Sequence, residues 1–98
     1  MHERTYTDDD HEWDPEKAAA NLAKHGVRFS DAATVLEDEL ALTIPDSDVL
    51  AEDRFLTLGA DAAGRLLVVV WAPRGDRIRL ISARLAMSWE RRMYEEAP

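Results

Sequence analysis

The residues best suited to chemistry lie in one stretch, RGDRIRLISARLAMSWERR, at positions 74–92. This stretch has a net charge of +4, whereas the whole chain carries −8. Its cations are all arginines, whose planar guanidinium groups bind phosphate or carboxylate through paired hydrogen bonds. The pattern predicts a site for a polyanion or an acidic partner; the alternative is an exposed strand and helix whose arginines are only solvated. The six arginines are Arg74, Arg77, Arg79, Arg84, Arg91 and Arg92.

Charge and composition exclude several classes of protein. Residues 1–62 carry a net charge of −11 and residues 63–98 a net charge of +3. A chain that is acidic overall does not coat nucleic acid through general charge, so any contact with nucleic acid is local. The absence of cysteine excludes disulfides and thiol chemistry, and a cytoplasmic location is expected. The acidic N-terminus does not resemble a secretory signal, and no apolar run approaches the ~20 residues that span a bilayer, so no membrane contact is expected.

The length of 98 residues predicts one domain with one hydrophobic core. Residues 1–11 are polar and are expected to form a flexible acidic tail, which leaves residues 12–98 as the folded domain. Asp14 followed by Pro15 predicts the start of a helix, and Gly26 predicts its left-handed end.

A second, short helix is predicted for the segment SDAATVLE, with Ser30 as its N-cap. Its apolar residues recur at the spacing of a helix face that packs on a core. The predicted core-facing residues are Ala33, Leu36 and Leu40.

The rest of the domain is predicted to form an antiparallel sheet of about four strands: LALTI, RFLTLGA, RLLVVVWA and DRIRLISAR. The third strand is apolar on both faces and is expected to be central. Pro45 should end the first strand and begin an acidic loop over residues 45–53, and a turn is expected at residues 73–76.

The fourth predicted strand alternates polar and apolar residues, which places Arg77 and Arg79 on one face and Ile78 and Leu80 on the other. A final helix is predicted to begin near Ser88. The order of elements is therefore two helices, the sheet and a closing helix, which is an α+β fold.

Two long blocks of the sequence resemble the BrnT family of bacterial toxins from type II toxin–antitoxin pairs. The first, EWDPEKAAANLAKHGVRF at residues 12–29, has the spacing W-D-x-x-K-x-x-x-N-x-x-K-H-G-V-x-F. The second, GDRIRLISARLAMSWERRMYEE at residues 75–96, has R-I-R-x-I-S-A-R-x-A ahead of E-R-R-x-Y. The resemblance implies a RelE-like fold, toxicity through RNA cleavage, and neutralisation by a BrnA-type antitoxin that carries a ribbon-helix-helix DNA-binding domain.

Further expectations about assembly follow from the resemblance. Operator DNA would be bound only through the antitoxin. A homodimer of the toxin within a heterotetramer is one compatible assembly. No cofactor and no metal are expected.

Two positions depart from the family pattern. Members commonly have Lys directly after S-A-R and Thr or Ser two residues later, where this chain has Leu85 and Met87. The first change removes a cation, and the second removes the hydroxyl that would form a capping box with Glu90. Ser88 is then a candidate N-cap, and in that position it would change the direction of Glu90.

Metal-free cleavage of RNA requires deprotonation of the 2′-hydroxyl, stabilisation of charge on the phosphorane and protonation of the leaving 5′-oxygen. We predict that Arg79 and Arg84, with Arg74 and Arg91, form a clamp for phosphate. The alternative is that Arg84 and Glu90 form a structural salt bridge. Arg77 and Arg92 are expected to face solvent.

The residues that would transfer protons are less clearly defined. His25 is a candidate acid or base, or else a cation that caps the helix dipole. Glu90 would need a raised pKa to act as a base, whereas the arginines around it would lower that pKa. Tyr94 either donates a proton or packs against Trp89 and Met93. Lys17 and Trp13 either contact RNA or have structural roles, Lys17 as a partner of Asp14 and Trp13 in the core.

Two functions are therefore considered. The first is a metal-independent endoribonuclease toxin that inhibits translation and is held inactive by its antitoxin. The second is a non-catalytic protein that binds the antitoxin through its arginines and acts with it as an autorepressor of the operon. In both, the antitoxin is expected to cover Arg79, Arg84 and Tyr94 and to avoid the acidic segment 45–53.

Overall fold

The computed structural model describes residues 5–46 and 53–97. These residues form three helices and a six-stranded mixed sheet. Within them, no helix is long and apolar enough to cross a membrane. In chain order the elements are β1 (Tyr6–Thr7), β2 (His11–Trp13), α1 (Pro15–His25), α2 (Phe29–Val35), β3 (Leu42–Pro45), β4 (Phe55–Ala60), β5 (Leu66–Arg74), β6 (Arg77–Leu85) and α3 (Ser88–Glu96).

The strands are arranged in the order β1-β2-β6-β5-β4-β3. All neighbouring pairs are antiparallel except β2 and β6, which are parallel. The α+β class, the closing helix and the central position of β5 are confirmed. The prediction of about four antiparallel strands is wrong, because β1 and β2 add two short strands beyond β6.

Residues 5–11, which we expected to lie in a flexible tail, are part of this sheet. Tyr6 pairs with Trp13, and the two rings stack with centroids 4.2 Å apart. The Asp8 carboxylate accepts hydrogen bonds from the backbone amides of Asp10 and His11, which closes the turn between β1 and β2. Strand β2 is anchored by pairing with the distant strand β6, and β1 joins the sheet through β2, so local sequence does not reveal these strands.

Helix α1 begins and ends as predicted. The Asp14 side chain accepts a hydrogen bond from the amide of Glu16 at 2.8 Å, and Pro15 occupies the first turn. Gly26 ends the helix with φ +70°, a conformation that glycine adopts without steric cost.

Helix α2 begins at Phe29, and its N-cap is Arg28, two residues earlier than predicted; Arg28 makes no side-chain hydrogen bond to the helix start. Ser30 is therefore not the N-cap. Phe29 is 2% exposed, so burial of its ring determines where the helix starts. Leu40 is 68% exposed, which makes its predicted core position wrong, whereas Ala33 is buried and Leu36 packs against the core.

The hydrophobic core lies between α1, α2 and one face of the sheet, which we call the inner face. Val27, Phe29 and Val35 pack there against Leu67 and Val69 of β5. Strand β5 extends to Arg74, so the turn predicted at residues 73–76 is reduced to two residues. The predicted acidic loop 45–53 falls mainly on residues 47–52, which lie outside the described residues.

One residue interrupts the regular pairing of β5 with β6. The register changes between Val70 and Trp71, which leaves Ile81 as an extra residue in β6 and forms a β-bulge. An extra residue reverses the alternation of side chains along a strand. Leu80 and Ala83, although three residues apart, therefore both lie in the core.

Asn21 fastens α1 to β6 beyond the bulge. Its side-chain amide donates to the carbonyl oxygens of Val27 at 3.0 Å and Ala83 at 2.9 Å. Its carbonyl oxygen accepts from the amide of Ala83 at 3.0 Å. Because Asn21 is only 6% exposed, loss of these bonds would leave buried backbone groups without partners.

We therefore expect Asn21→Ala to lower the free energy of unfolding by at least about 2 kcal/mol, since each unsatisfied buried group costs about 1–3 kcal/mol. Urea unfolding followed by circular dichroism measures this change. Lys17→Ala, at an exposed position of the same helix before its last turn, is the matched control and should change stability by less than about 0.5 kcal/mol. Equal stability of the two variants would contradict the role given to Asn21.

Candidate functional site

Four arginines lie along the outer face of the sheet, opposite α1 and α2. Arg79 and Arg84 are five positions apart, an odd spacing that would place them on opposite faces of a regular strand. The bulge at Ile81 brings both to the outer face, where they lie opposite Ala72 and Val68. The register gives the same face to the two arginines beside the β5–β6 turn. We call Arg74, Arg77, Arg79 and Arg84 the arginine row.

Ser82 lies between Arg79 and Arg84 on this face. It is opposite Val70, midway along β5 between the partners of the two arginines. Each arginine is therefore displaced from Ser82 by two residues of β5, or about 7 Å. A phosphate placed above Ser82 would therefore lie midway along the outer face between the two arginines.

Arg79 is paired with a carboxylate from the neighbouring strand. Its Nη1 donates to Glu12 Oε2 at 2.7 Å, and Glu12 is also its backbone neighbour in the parallel pairing of β2 with β6. The side chains are only 17% and 13% exposed, so this ion pair is weakly screened by solvent. Glu12 thus places an anionic oxygen beside the row.

Arg84 is paired with α3. Its Nη1 and Nη2 donate to the two carboxylate oxygens of Glu90 at 2.8 and 3.0 Å. The salt bridge expected as the alternative to a phosphate clamp is therefore present. The hydrogen bonds from Arg84 hold the pKa of Glu90 below its ordinary value, against the opposing effect of burial and with help from the amide of Met87. Glu90 is a weak base that orients Arg84.

The start of α3 preserves half of a capping box. Met87 occupies the N-cap position and Ser88 is the first helical residue, so Ser88 does not become the N-cap. The Glu90 carboxylate accepts a hydrogen bond from the amide of Met87 at 2.8 Å. Replacement of the usual hydroxyl residue by methionine therefore leaves Glu90 directed at the helix start.

Tyr94 ties the other end of α3 to the connection between α2 and β3. Its hydroxyl donates to Asp38 Oδ2 at 2.6 Å, and the amide of Ala60 donates to the same oxygen at 2.8 Å. The hydrogen bond to Asp38, together with burial, raises the pKa of Tyr94. Burial opposes ionisation of Asp38, but hydrogen bonds from Ala60, Tyr94 and Leu40 give a net lowering of its pKa.

The sheet register gives the distance from Ala60, which is linked to Tyr94 through Asp38, to the middle of the row. Ala60, which shares Asp38 with Tyr94, lies opposite Leu66, whereas Ser82 lies opposite Val70. Two strand spacings and four residues separate these points, a distance of about 16 Å. This separation favours a tethering role for Tyr94 over proton transfer to a phosphate above Ser82.

The remaining predicted site residues are divided between the two sides of the sheet. Lys17 and His25 are on α1, which packs against the inner face. Trp13 is held between the rings of Tyr6 and Phe29 and packs against the core. Arg91 is exposed on α3, over the outer face.

Sequence reasoning missed three residues of this arrangement. Glu12 is the first residue of the block at residues 12–29 that resembles the BrnT family, and its partner Arg79 is 67 positions away. Ser82 lies within S-A-R, but its position between two arginines depends on the bulge. Asp38 carries no sequence signal, because its partner Tyr94 is 56 positions away.

The arrangement offers charge stabilisation and a carboxylate, Glu12, whose Oε2 accepts a hydrogen bond from Arg79. Guanidinium groups can bind phosphate oxygens, and the carboxylate of Glu12 can accept a proton. Among residues 5–46 and 53–97, no three His, Asp or Glu side chains are grouped so as to hold a metal ion.

Comparison with known proteins places these features in context. A protein-family model described as the ribonuclease toxin BrnT of type II toxin–antitoxin systems matches residues 13–90. Among solved structures, the crystal structure of the Brucella abortus ribonuclease toxin BrnT is similar, with a TM-score of 0.61 and 29% sequence identity. That match covers 78% of this chain and 94% of the Brucella chain. No curated protein matches the sequence. The family match includes the whole arginine row.

The lowered pKa of Glu90 predicts part of the acid sensitivity of the fold. As the pH falls, the unfolded chain binds a proton at Glu90 near the ordinary pKa of 4.5, whereas the folded chain binds it only at a lower pH. The Arg84–Glu90 pair therefore stabilises the fold above pH 4.5, and this contribution to the free energy of unfolding is lost as the pH falls through the pKa of the folded state. Glu90→Gln should therefore flatten the dependence of stability on pH between about pH 5 and pH 3.

Urea unfolding at a series of pH values measures this slope. The wild-type chain, measured at the same pH values, is the reference. If Glu90→Gln and wild type have the same slope, protonation of Glu90 does not contribute to the loss of stability at acid pH, which would contradict the prediction.

Proposed function

Because this chain belongs to the BrnT family of ribonuclease toxins from type II toxin–antitoxin systems, we propose that it is a metal-independent endoribonuclease. It cleaves single-stranded RNA, inhibits translation and is neutralised by a BrnA-type antitoxin with a ribbon-helix-helix domain. The observation that carries the proposal is the convergence of Arg79, Ser82 and Arg84 on one face of the sheet.

The arginine row supplies the charge stabilisation that this reaction needs. A scissile phosphate above Ser82 accepts hydrogen bonds from Arg79 and Arg84 as negative charge develops on its non-bridging oxygens. A positioned donor of this kind is typically worth about 2.7–4 kcal/mol in the transition state, whereas an exposed ion pair is worth about 0–1 kcal/mol. Guanidinium groups thus do the work that a metal ion does in other nucleases.

The reaction proceeds by attack within the RNA strand. Glu12 accepts the proton of the 2′-hydroxyl, the 2′-oxygen forms a bond to phosphorus, and the bond from phosphorus to the 5′-oxygen breaks. The leaving 5′-oxygen takes a proton from solvent water. The products are a 2′,3′-cyclic phosphate and a 5′-hydroxyl end. Glu90 keeps Arg84 in position, and Arg74 at the turn binds a neighbouring phosphate.

The second candidate is a non-catalytic partner-binding protein that acts with the antitoxin as an autorepressor. It is favoured by the pairing of both central arginines with carboxylates of the same chain, Glu12 and Glu90. Each guanidinium group is shared between phosphate and its carboxylate, which lowers the positive charge available to phosphate. The two candidates differ in whether RNA is cut.

Expression of the chain without antitoxin should arrest bacterial growth and yield RNA fragments with cyclic phosphate ends, which end-mapping by sequencing detects. Arg79→Gln should relieve the arrest, because it removes the cation while retaining a donor for Glu12. We choose Arg79 because loss of Arg84 would leave Glu90, only 7% exposed, as an unpaired buried anion that destabilises the fold.

Arg92→Gln is the matched control at an exposed arginine outside the row and should remain toxic. Melting temperatures of both variants establish that they are folded. Full toxicity of folded Arg79→Gln would refute the clamp, and the absence of both growth arrest and cleaved RNA with the wild-type chain would favour the non-catalytic candidate.

Two further substitutions identify the group that accepts the 2′-hydroxyl proton. Glu12→Gln keeps a hydrogen bond to Arg79 but removes the base, so the cleavage rate should fall by about 10²–10⁴-fold. His25→Gln should keep activity and lose about 0.3–1 kcal/mol of stability, as expected of a cation in the last turn of a helix. The rate of cleavage of a short RNA by the purified variants tests both; an inactive but equally stable His25→Gln would reverse the assignment.

A further inference from the structure

Helix α3 packs on the sheet less completely than an amphipathic helix normally does. Its apolar residues Trp89 and Met93 lie one turn apart, yet they are 54% and 50% exposed. The described contacts that hold the helix are largely polar: the Arg84–Glu90 pair near its start and the hydrogen bond from Tyr94 near its end. The apolar stripe is therefore available to another molecule.

Two adjoining hollows flank this helix and meet at Leu42. One, of about 120 Å³, has an almost wholly apolar lining that includes Ile44, Leu56, Trp89 and Met93. The other, of about 380 Å³, is lined in part by Leu40, Tyr94, Glu39 and Glu95. We call the two hollows together the α3 groove.

Exposed apolar side chains are concentrated around the α3 groove. Seven large hydrophobic residues of the described chain are exposed, and five of them lie in the groove or at the N-cap of α3. A contiguous apolar surface on a small protein marks a site of interaction. The five residues are Leu40, Ile44, Met87, Trp89 and Met93.

We propose that the α3 groove is the docking site for a segment of the antitoxin, an inference that takes the partner from the proposed function. The segment places apolar side chains on Trp89, Met93 and Ile44, because tightly bound interfaces have an apolar centre within a polar rim.

The charges around the groove define the polarity of that segment. Glu39 and Glu95 lie at the end nearest the C-terminus of α3, whereas Arg84 and Arg91 lie toward its start. The antitoxin segment therefore has a basic end over the two glutamates and an acidic end toward the arginines. Because Glu90 both lines the groove and holds Arg84, a bound segment also covers the near end of the arginine row.

Calorimetric titration of the purified chain with its co-encoded antitoxin tests this proposal. Trp89→Asp and Met93→Asp should each weaken binding by about 30-fold or more, as expected when a buried interface anchor is replaced. Leu85→Asp is the matched control, since Leu85 is 53% exposed but does not line the groove, and it should bind like wild type. Glu95→Lys should weaken binding at low salt and have little effect at high salt.

Growth assays separate this proposal from the proposed function. Trp89→Asp expressed alone should arrest growth like wild type, and co-expression of the antitoxin should no longer restore growth. If the wild-type chain causes no growth arrest, the ribonuclease proposal fails. The calorimetric titrations still test whether the antitoxin binds in the α3 groove. Unchanged antitoxin affinity of both groove variants would overturn the docking site.

Sedimentation equilibrium of the toxin alone tests whether a second copy of the chain occupies the α3 groove instead of the antitoxin. The proposal expects the same oligomeric state for wild type and Trp89→Asp. Dimers of wild type that become monomers in Trp89→Asp, with antitoxin affinity unchanged, would assign the groove to a second copy and contradict the proposal.

Discussion

The geometry of the candidate site depends on one extra residue, Ile81, in the pairing of β5 with β6. Without it, the odd spacing between Arg79 and Arg84 would direct one guanidinium into the core, where an unpaired charge is very costly. The same bulge allows Leu80 and Ala83 both to be buried. The core and the arginine row are thus two consequences of a single change in register. Asn21 stabilises that register, because it bonds the backbone at Ala83, two residues beyond the bulge.

Both central arginines, Arg79 and Arg84, are paired with carboxylates from other elements. This pairing allows a partly buried arginine to remain charged in the free protein. A largely buried guanidinium without a partner would destabilise the fold, so Glu12 and Glu90 stabilise the free protein. The same pairs fix the direction of the arginines before substrate arrives, which reduces the reorganisation required on binding. In this account Glu90 connects three features, since it orients Arg84, caps α3 at Met87 and lines the α3 groove.

The parts of the fold that could be predicted from sequence are those determined by neighbouring residues. Asp14 and Gly26 define α1 through local capping and backbone conformation, and the continuous apolar run of β5 identifies a central strand. The parts that could not be predicted depend on distant residues. Strand β2 forms because it pairs with β6, and β1 pairs with β2; Tyr94 is oriented by Asp38. Periodicity could assign faces to Arg77 and Arg79, but the bulge at Ile81 decided the face of Arg84.

The central claim is that Arg79 and Arg84 together hold one RNA phosphate on the outer face. It is tested most directly by NMR of the arginine Nε–Hε groups during titration with a single-stranded RNA whose 2′-hydroxyls are methylated to prevent cleavage. The account predicts that the signals of Arg79 and Arg84 shift together with a common dissociation constant, while Arg28, between α1 and α2, does not respond. Shifts confined to Arg28 and the backbone of α1, with Arg79 and Arg84 unchanged, would contradict it.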